Sequence, residues 1–279
     1  MQPIKALLTN AAGLLAASSI SPQLDAEVLL CLVLARQRSY LRAWPDASLT
    51  AAQETAFATL VSKRQQGVPI AYLTGNREFW SRDFNVTPDV LIPRPDTECL
   101  IELSLQLIPA DQPFKIIDLG TGSGIIAVTL AAERPLAQLS ATDLSVAALH
   151  IARQNAQKHH ADIQFYQSDW FANVPDGRFN LIVSNPPYIA PDDPHLGIGD
   201  VRFEPQQALV AAEQGLLDIK TIAAAARRYL ETGGHLLVEH GYNQAQQVQA
   251  IFADCAYHRI RTHQDLSGQP RVTAGCISH

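Results

Sequence analysis

The chain has 279 residues, 47% of them apolar, a mean hydropathy near zero and a formal net charge of −6, the balance of a globular protein long enough for one large core or two. That charge, with a pI of about 5.8, argues against non-specific binding to nucleic-acid phosphates, and no apolar run approaches the ~20 residues that cross a bilayer. Met1-Gln2-Pro3-Ile4-Lys5 lacks the basic and apolar regions of a secretion signal. Cys31, Cys99, Cys255 and Cys276 lie far apart with no Cys-x-x-Cys pair, as expected of reduced thiols in a cytoplasmic protein. The histidines show no zinc-ligand spacing, so no metal is expected.

Residues 1–70 read as a helical domain. Ser21-Pro22 is a cap followed by proline at the first helical position, and it places Leu24, Val28, Cys31, Leu32 and Ala35 on one face. Thr50-x-x-Gln53 has the form of a capping box, leading to Phe57, Leu60 and Val61 and ending near Gly67. Residues 71–95 change pattern: Glu78-Phe79-Trp80 and Phe84-Asn85-Val86 flank a polar turn, which predicts a β-hairpin linker. Prolines then force an extended path, and Asp96 or Thr97 can cap a helix over 99–108. Arg94 and Glu98 read equally well as a surface pair and as the edge of a pocket.

Residues 96–279 form the third predicted region, with a natural break at Pro109-Ala110-Asp111-Gln112-Pro113. After the break, strand patterns at 115–119, 137–142, 163–167, 179–184 and 235–239 alternate with helical ones at 125–134, 146–159, within 216–230 and 243–253. Two further strands are predicted at 257–263 and 271–277. Strands separated by helices require crossovers, hence an α/β, doubly wound and mostly parallel sheet.

The polar residues of interest sit at predicted strand ends, where open α/β sheets bind ligands. Gly120, Thr121, Gly122, Ser123 and Gly124 turn a buried strand into a helix; glycines allow close approach of a ligand, and a helix N-terminus favours negative charge. Ile125 occupies the place of the third glycine of a dinucleotide fingerprint, which disfavours a pyrophosphate and favours a nucleoside carrying an amino acid. Asp143 closes the second strand and suits two ribose hydroxyls, or else caps the following helix. Asp169 can accept from an adenine amino group, and Trp170 offers a stacking face. Asn185-Pro186-Pro187-Tyr188 ends another strand in a stiff loop. It is either an ordinary turn or a set of acceptors beside a ring, suited to a planar group bearing an NH2.

Taken together, these segments resemble class I S-adenosylmethionine methyltransferases that act on a planar nitrogen. Gly75-Asn76-Arg77-Glu78-Phe79, residues 91–98, Arg202-Phe203-Glu204-Pro205 and Glu239-His240-Gly241 narrow the resemblance to the PrmC (HemK) family, over essentially the whole chain. The resemblance implies a small helical N-terminal domain, a hairpin linker and a Rossmann-like catalytic domain. It implies S-adenosylmethionine at Gly120, Thr121, Gly122, Ser123, Gly124, Asp143 and Trp170, with Asp169 and Asn185 beside them. It also implies Asn185, Pro186, Pro187 and Tyr188 at a substrate glutamine, that of the Gly-Gly-Gln motif in peptide chain release factors. Asn185, Pro186 and Tyr188 would then be catalytic, with the Asn185 oxygen and the Pro186 carbonyl accepting the amide N–H bonds. Alternatives with the same chemistry are glutamine methylation of a ribosomal protein and adenine-N6 methylation of nucleic acid, the latter disfavoured by the acidic composition. No nucleic acid or membrane partner is expected. A nicotinamide oxidoreductase is disfavoured by the missing glycine, and a non-catalytic module by the intact set of polar positions.

Overall fold

The computed structural model describes residues 2–278. They divide into two units: the chain up to Asn76 together with His195–Phe203, and Arg77–Pro194 together with the chain from Glu204 onward.

The first unit is helical: α1 (Ile4–Leu15), α2 (Pro22–Leu34), α3 (Arg38–Ala43), α4 (Ala51–Gln65) and α5 (Ile70–Thr74). In α1, Ile4, Leu8, Ala11 and Leu15 recur at helical spacing and are buried. The capping box of α4 forms in full, Thr50 accepting from the Gln53 backbone and Gln53 from that of Thr50. The predicted face of α2 is corrected. Its buried residues are Asp25, Ala26, Leu29 and Leu30, while Leu24 and Leu32 are exposed. Asp25 explains the rotation: it is buried in an ion pair with Arg64 of α4, 2.8 Å away, so a charged residue occupies the inner stripe. Ser21 does not cap α2 with its side chain, which bonds Asp25 instead. Arg64 also donates to the Val68 carbonyl and pairs with Asp200 at 3.4 Å, tying the 195–203 segment into this unit. The helix α5 is unforeseen, at five residues too short for its periodicity to register.

The second unit takes up the chain at Arg77, inside a hairpin of β1 (Asn76–Phe79) and β2 (Arg82–Asn85), whose two turn residues Trp80 and Ser81 both take left-handed φ, 51° and 56°. A 3₁₀ turn, Pro95–Thr97, runs into α6 (Glu98–Leu107), which neither Asp96 nor Thr97 caps: Asp96 pairs with Arg271, and the Thr97 side chain turns to another partner. There follow β3 (Phe114–Leu119), α7 (Ile125–Glu133), β4 (Ala137–Asp143), α8 (Val146–Lys158), β5 (Ile163–Gln167) and β6 (Phe179–Ser184). The chain closes with the short turn α9 (Ala212–Gly215), α10 (Leu217–Ala226), β7 (Leu230–Glu239), α11 (Ala245–Asp254), β8 (His258–Gln264) and β9 (Pro270–Cys276).

The seven-stranded sheet has the order β5-β4-β3-β6-β7-β9-β8. It is parallel except for β9, which runs antiparallel to both its neighbours. Two apolar layers cover its faces. One joins α6 and α7 to Ile116, Leu139, Leu181 and Val183; the other joins α10 and α11 to Ile117, Ile182, Leu236 and Val238. Alternate residues of the central strands therefore enter opposite layers, and the strands read as continuous apolar runs. Strand order reverses at β3, between β4 and β6, making a crevice at the carboxyl ends of these strands. The hairpin is fixed to this unit by Asn155 of α8, which is fully buried. Its Oδ1 accepts from Asn85 N at 2.7 Å, and its Nδ2 donates to the carbonyls of Asn85 and Ser123.

Candidate active site

Sheet register alone assembles most of the site. Leu119 of β3 pairs with Thr142 of β4 and with Ser184 of β6, so the next residues, Gly120, Asp143 and Asn185, emerge side by side. Ser184 Oγ donates to the Leu119 carbonyl at 2.7 Å, and Thr121 N to the Thr142 carbonyl at 2.8 Å, locking those strand ends together. Ser168 N donates to the Asp143 carbonyl, adding the end of β5 to the row.

A cavity opens along this row. Its wall includes Gly120, Thr121, Gly122 and Ser123, then Asp143, Leu144 and Ser145, then Ser168, Asp169 and Trp170, and finally Asn185 and Pro187. Gly120, Gly122 and Gly124 all have left-handed φ. Their roles differ. A Cβ on Gly124 would press within 3.2 Å of Ala152, so that glycine seats α7 against α8; nothing lies within 4 Å of a Cβ on Gly122, which faces open space. The Gly122 N–H donates to Asp143 Oδ2 at 2.8 Å, and Asp143 Oδ1 accepts from Ser145 N at 2.8 Å. Asp143 thus braces the glycine loop, while the cap of α8 is Ser145, which accepts from Ala148 N. Burial pushes the Asp143 carboxyl above the ordinary range, against three backbone donors that favour its charge. With up to two lone pairs on each oxygen, the carboxylate keeps acceptor capacity beyond these backbone bonds.

Beneath the loop, Asp118 is wholly buried and accepts from the Thr121 hydroxyl at 2.6 Å; burial pushes its pKa up to about 7. Trp170, itself at φ 47°, lies over Gly120, its ring 3.3 Å from where a Cβ would stand. A glycine backbone open to a ligand, an acidic acceptor at the next strand end and an indole face beyond it fit a nucleoside joined to an amino acid. Those residues therefore suit S-adenosylmethionine.

At the β6 end the wall takes Asn185 and Pro187, whereas Pro186 is buried and Tyr188 turns inward against the second apolar layer. The Tyr188 hydroxyl donates to Glu239 Oε1 at 3.5 Å, and burial raises its pKa, so this phenol stays protonated. Asn185 Nδ2 donates to Thr97 Oγ1 at 3.2 Å, which leaves Asn185 Oδ1 as the end of the carboxamide without that tether. Arg94 also lines the cavity and pairs at 2.7 Å with Glu204, resolving its two sequence readings: its partner is Glu204, and Glu98 lies elsewhere. Thr97, Gln207, Ala208 and Asp218 line the cavity too and were not singled out in the sequence as ligand-facing. The signal for Thr97 was its place in the 91–98 segment; nothing in the sequence marked Asp218. Among the described residues no group of three or more His, Cys, Asp or Glu is placed to hold a metal, and no helix is long and apolar enough to cross a membrane.

Comparison with known proteins agrees with this geometry. Residues 101–204 match the model of the methyltransferase small domain, and residues 6–75 that of the PrmC N-terminal domain. A release factor glutamine methyltransferase of Vibrio cholerae is 51% identical over 92% of this chain and 90% of its own. That of Escherichia coli is 48% identical over 92% of this chain and 93% of its own. Among solved structures, a methyltransferase from Pyrococcus furiosus superposes over 80% of this chain and 98% of its own, with a TM-score of 0.55 at 13% identity, a likeness of fold. A methyltransferase sheet, its cofactor cavity and near-half identity along almost the full length lead to one conclusion: this chain belongs to the release factor glutamine methyltransferase family.

Proposed function

We propose that this enzyme methylates the side-chain amide nitrogen of the glutamine in the Gly-Gly-Gln motif of peptide chain release factors, in the cytoplasm. S-adenosylmethionine supplies a methyl group already activated by its positive sulfur. The observation that carries the substrate half is the placement of Asn185: its side chain enters the same cavity as Gly120, Gly122 and Asp143, and its NH2 end is tethered to Thr97.

An amide nitrogen is a poor nucleophile because its lone pair is delocalised into the carbonyl. The Asn185 oxygen and the Pro186 carbonyl accept its two N–H bonds, hold the amide in one orientation and favour positive charge developing on nitrogen. Asp143 accepts the ribose hydroxyls, Asp169 and Trp170 receive the adenine, and the glycine loop receives the amino-acid end. Tyr188 supports the loop from beneath through Glu239 rather than stacking in the cavity. No strong base is required, since the methylated amide sheds its extra proton readily. Residues 1–70 serve the protein substrate, and no nucleic acid enters the reaction.

The test is mass spectrometry of a release factor incubated with the full-length protein and S-adenosylmethionine. One methyl on the glutamine of the Gly-Gly-Gln peptide is expected. An unmodified peptide, or label on DNA adenine instead, overturns the reading.

A further inference from the structure

We propose that Gln244 is a positioning residue for methyl transfer: its side-chain amide clamps the Tyr188 carbonyl and so sets where the Asn-Pro-Pro-Tyr loop holds Asn185 and the Pro186 carbonyl. The inference rests on those two groups receiving the substrate amide and names what fixes them.

The loop is stiff, because Pro186 and Pro187 each lock φ, so a shift at one end is carried to the other. Its first end is fixed by the sheet: Ser184 is paired in β6, and its Oγ donates to the Leu119 carbonyl at 2.7 Å. Its second end is held by a side chain. Gln244 Nε2 donates to the Tyr188 carbonyl at 3.0 Å and to the Gln214 carbonyl at 3.1 Å, while Gln244 Oε1 accepts from Gly241 N at 2.8 Å. Two carbonyls on one side and an N–H on the other admit only this orientation of the carboxamide. Gln244 is the N-cap residue of α11 yet makes no side-chain cap bond to that helix; it reaches across to the loop instead. Gln214, the other residue it holds, sits at left-handed φ, 58°, beside Glu213 at 53°. Strained backbone of this kind persists where surrounding contacts impose it.

His240 fixes the turn that carries Gln244. It is wholly buried, and its Nδ1 lies 2.9 Å from the Gly241 carbonyl, which also accepts from Gln244 N at 2.9 Å. A carbonyl only accepts, so Nδ1 carries the proton. Nε2 then accepts from the Thr273 hydroxyl at 2.9 Å, Thr273 from Thr262 at 2.7 Å, and Thr262 from Gln249 Nε2 at 2.8 Å. Every proton in this file has a partner when the ring is neutral, and burial pushes the ring toward that form. His240 and Gly241, part of a segment singled out in the sequence, thus build the turn from which Gln244 reaches the loop.

The experiment uses the full-length enzyme with a release factor as substrate. Gln244→Glu keeps the shape but, ionised at pH 8, offers no donor to either carbonyl. Its kcat should fall ~10–100-fold while S-adenosylmethionine affinity, read by calorimetry, is unchanged. The deficit relative to wild type should narrow as pH is lowered to 6, where the buried acid regains an O–H to donate. The titratable and charged groups around it are Glu239 and His240 at the end of β7, Arg271 of β9, the Tyr188 hydroxyl, and Glu213 paired with Lys220. Wild type carries the same groups, so the ratio isolates residue 244. Gln244→Met, uncharged and of similar size, should show the same loss at both pH values, and it serves should the glutamate variant fail to fold. Independently of any substrate, hydrogen exchange across residues 188–192 should quicken in both variants at pH 8. Wild-type kcat and exchange in both variants, beside an inactive Asn185→Ala, would overturn the clamp and leave the acceptor reading standing. A kcat deficit matched by an equal loss of S-adenosylmethionine affinity would overturn it too, reducing Gln244 to a structural residue. An active Asn185→Ala would overturn the acceptor reading and this role with it.

Discussion

Gly215 lies so close to Tyr188 that a Cβ built on it would stand 2.1 Å from the Tyr188 carbonyl oxygen and 2.6 Å from its carbon. The same carbonyl accepts from Gln244 Nε2 at 3.0 Å, while Gln244 Oε1 accepts from Gly241 N at 2.8 Å. The end of the Asn-Pro-Pro-Tyr loop is thereby pinned between two later segments. Gly215 also sits at φ 83°, so alanine there meets both strain and backbone overlap. Gly215→Ala should lower stability by about 1–3 kcal/mol and shift the loop enough to reduce kcat/KM at least tenfold. Thermal melts and methyl-transfer assays check it; an unchanged melt and rate would mean the loop has slack that this packing denies.

Asp143 braces the glycine loop and, in the proposed reaction, also accepts the ribose hydroxyls. Asp143→Ala removes the acceptor of the Gly122 and Ser145 N–H groups, so some stability is lost. The larger effect should be on S-adenosylmethionine, whose affinity is expected to fall by ~1.5–3 kcal/mol for a lost pair of charge-assisted hydrogen bonds. Calorimetry on the folded variant measures this, and undiminished affinity would reduce Asp143 to a brace for the glycine loop.

Trp170 should report the cofactor. It is the one tryptophan named in the cavity wall, whereas Trp80 donates to Glu133 at 3.2 Å and Trp44 is exposed in the other unit. Adding S-adenosylmethionine should quench or shift the fluorescence, and Trp170→Ala should abolish most of the change. A full response from the variant would leave Trp170 a packing residue over Gly120.

The strands around the cavity were legible because each is a short run with an apolar centre that stops at a turn-forming segment, and Leu119, Asp143 and Ser184 end theirs within a residue of expectation. Alignment of those ends follows from parallel pairing, so the row of polar residues that line the cavity was legible too. What escaped was set by distant partners. The face of α2 could not be read because Asp25 looks like a solvent residue until Arg64 arrives from α4. Thr97 looked like a helix cap because its actual partner, Asn185, lies 88 residues further on. Tyr188 looked like a wall of the cavity, but Glu239 draws its hydroxyl inward.

The stability that Asp118 and Glu239 contribute should fall as pH rises from about 4 to about 7. Burial pushes Asp118 from 3.8 and Glu239 from 4.5 each up to about 7. Between those limits the folded chain holds protons that the unfolded chain has released, so the contribution is full at the acid end, is lost as pH climbs through about 7, and is flat above. Relative to wild type, Glu239→Gln should therefore be more stable at pH 8 than at pH 5. Urea denaturation at the two pH values tests this, and an equal difference at both would show that Glu239 does not titrate with folding.

Asn185→Ala should nearly abolish methyl transfer in a protein that still folds and still binds S-adenosylmethionine. The side chain lies at the cavity end of β6 and, apart from its donation to Thr97, makes no other side-chain hydrogen bond among those described, so its removal leaves the sheet and the glycine loop undisturbed. The acceptor it presents matters most when charge develops on the amide nitrogen, and a loss confined to that moment appears in kcat more than in binding. Removing one preorganised partner of this kind lowers turnover ~10²–10³-fold. The substrate should behave as the mirror image: glutamate in place of the acceptor glutamine removes the NH2 and should end labelling altogether. Rapid-quench measurement of single turnovers separates chemistry from product release. A wild-type single-turnover rate in Asn185→Ala would sink the amide clamp, however well the cofactor site performs.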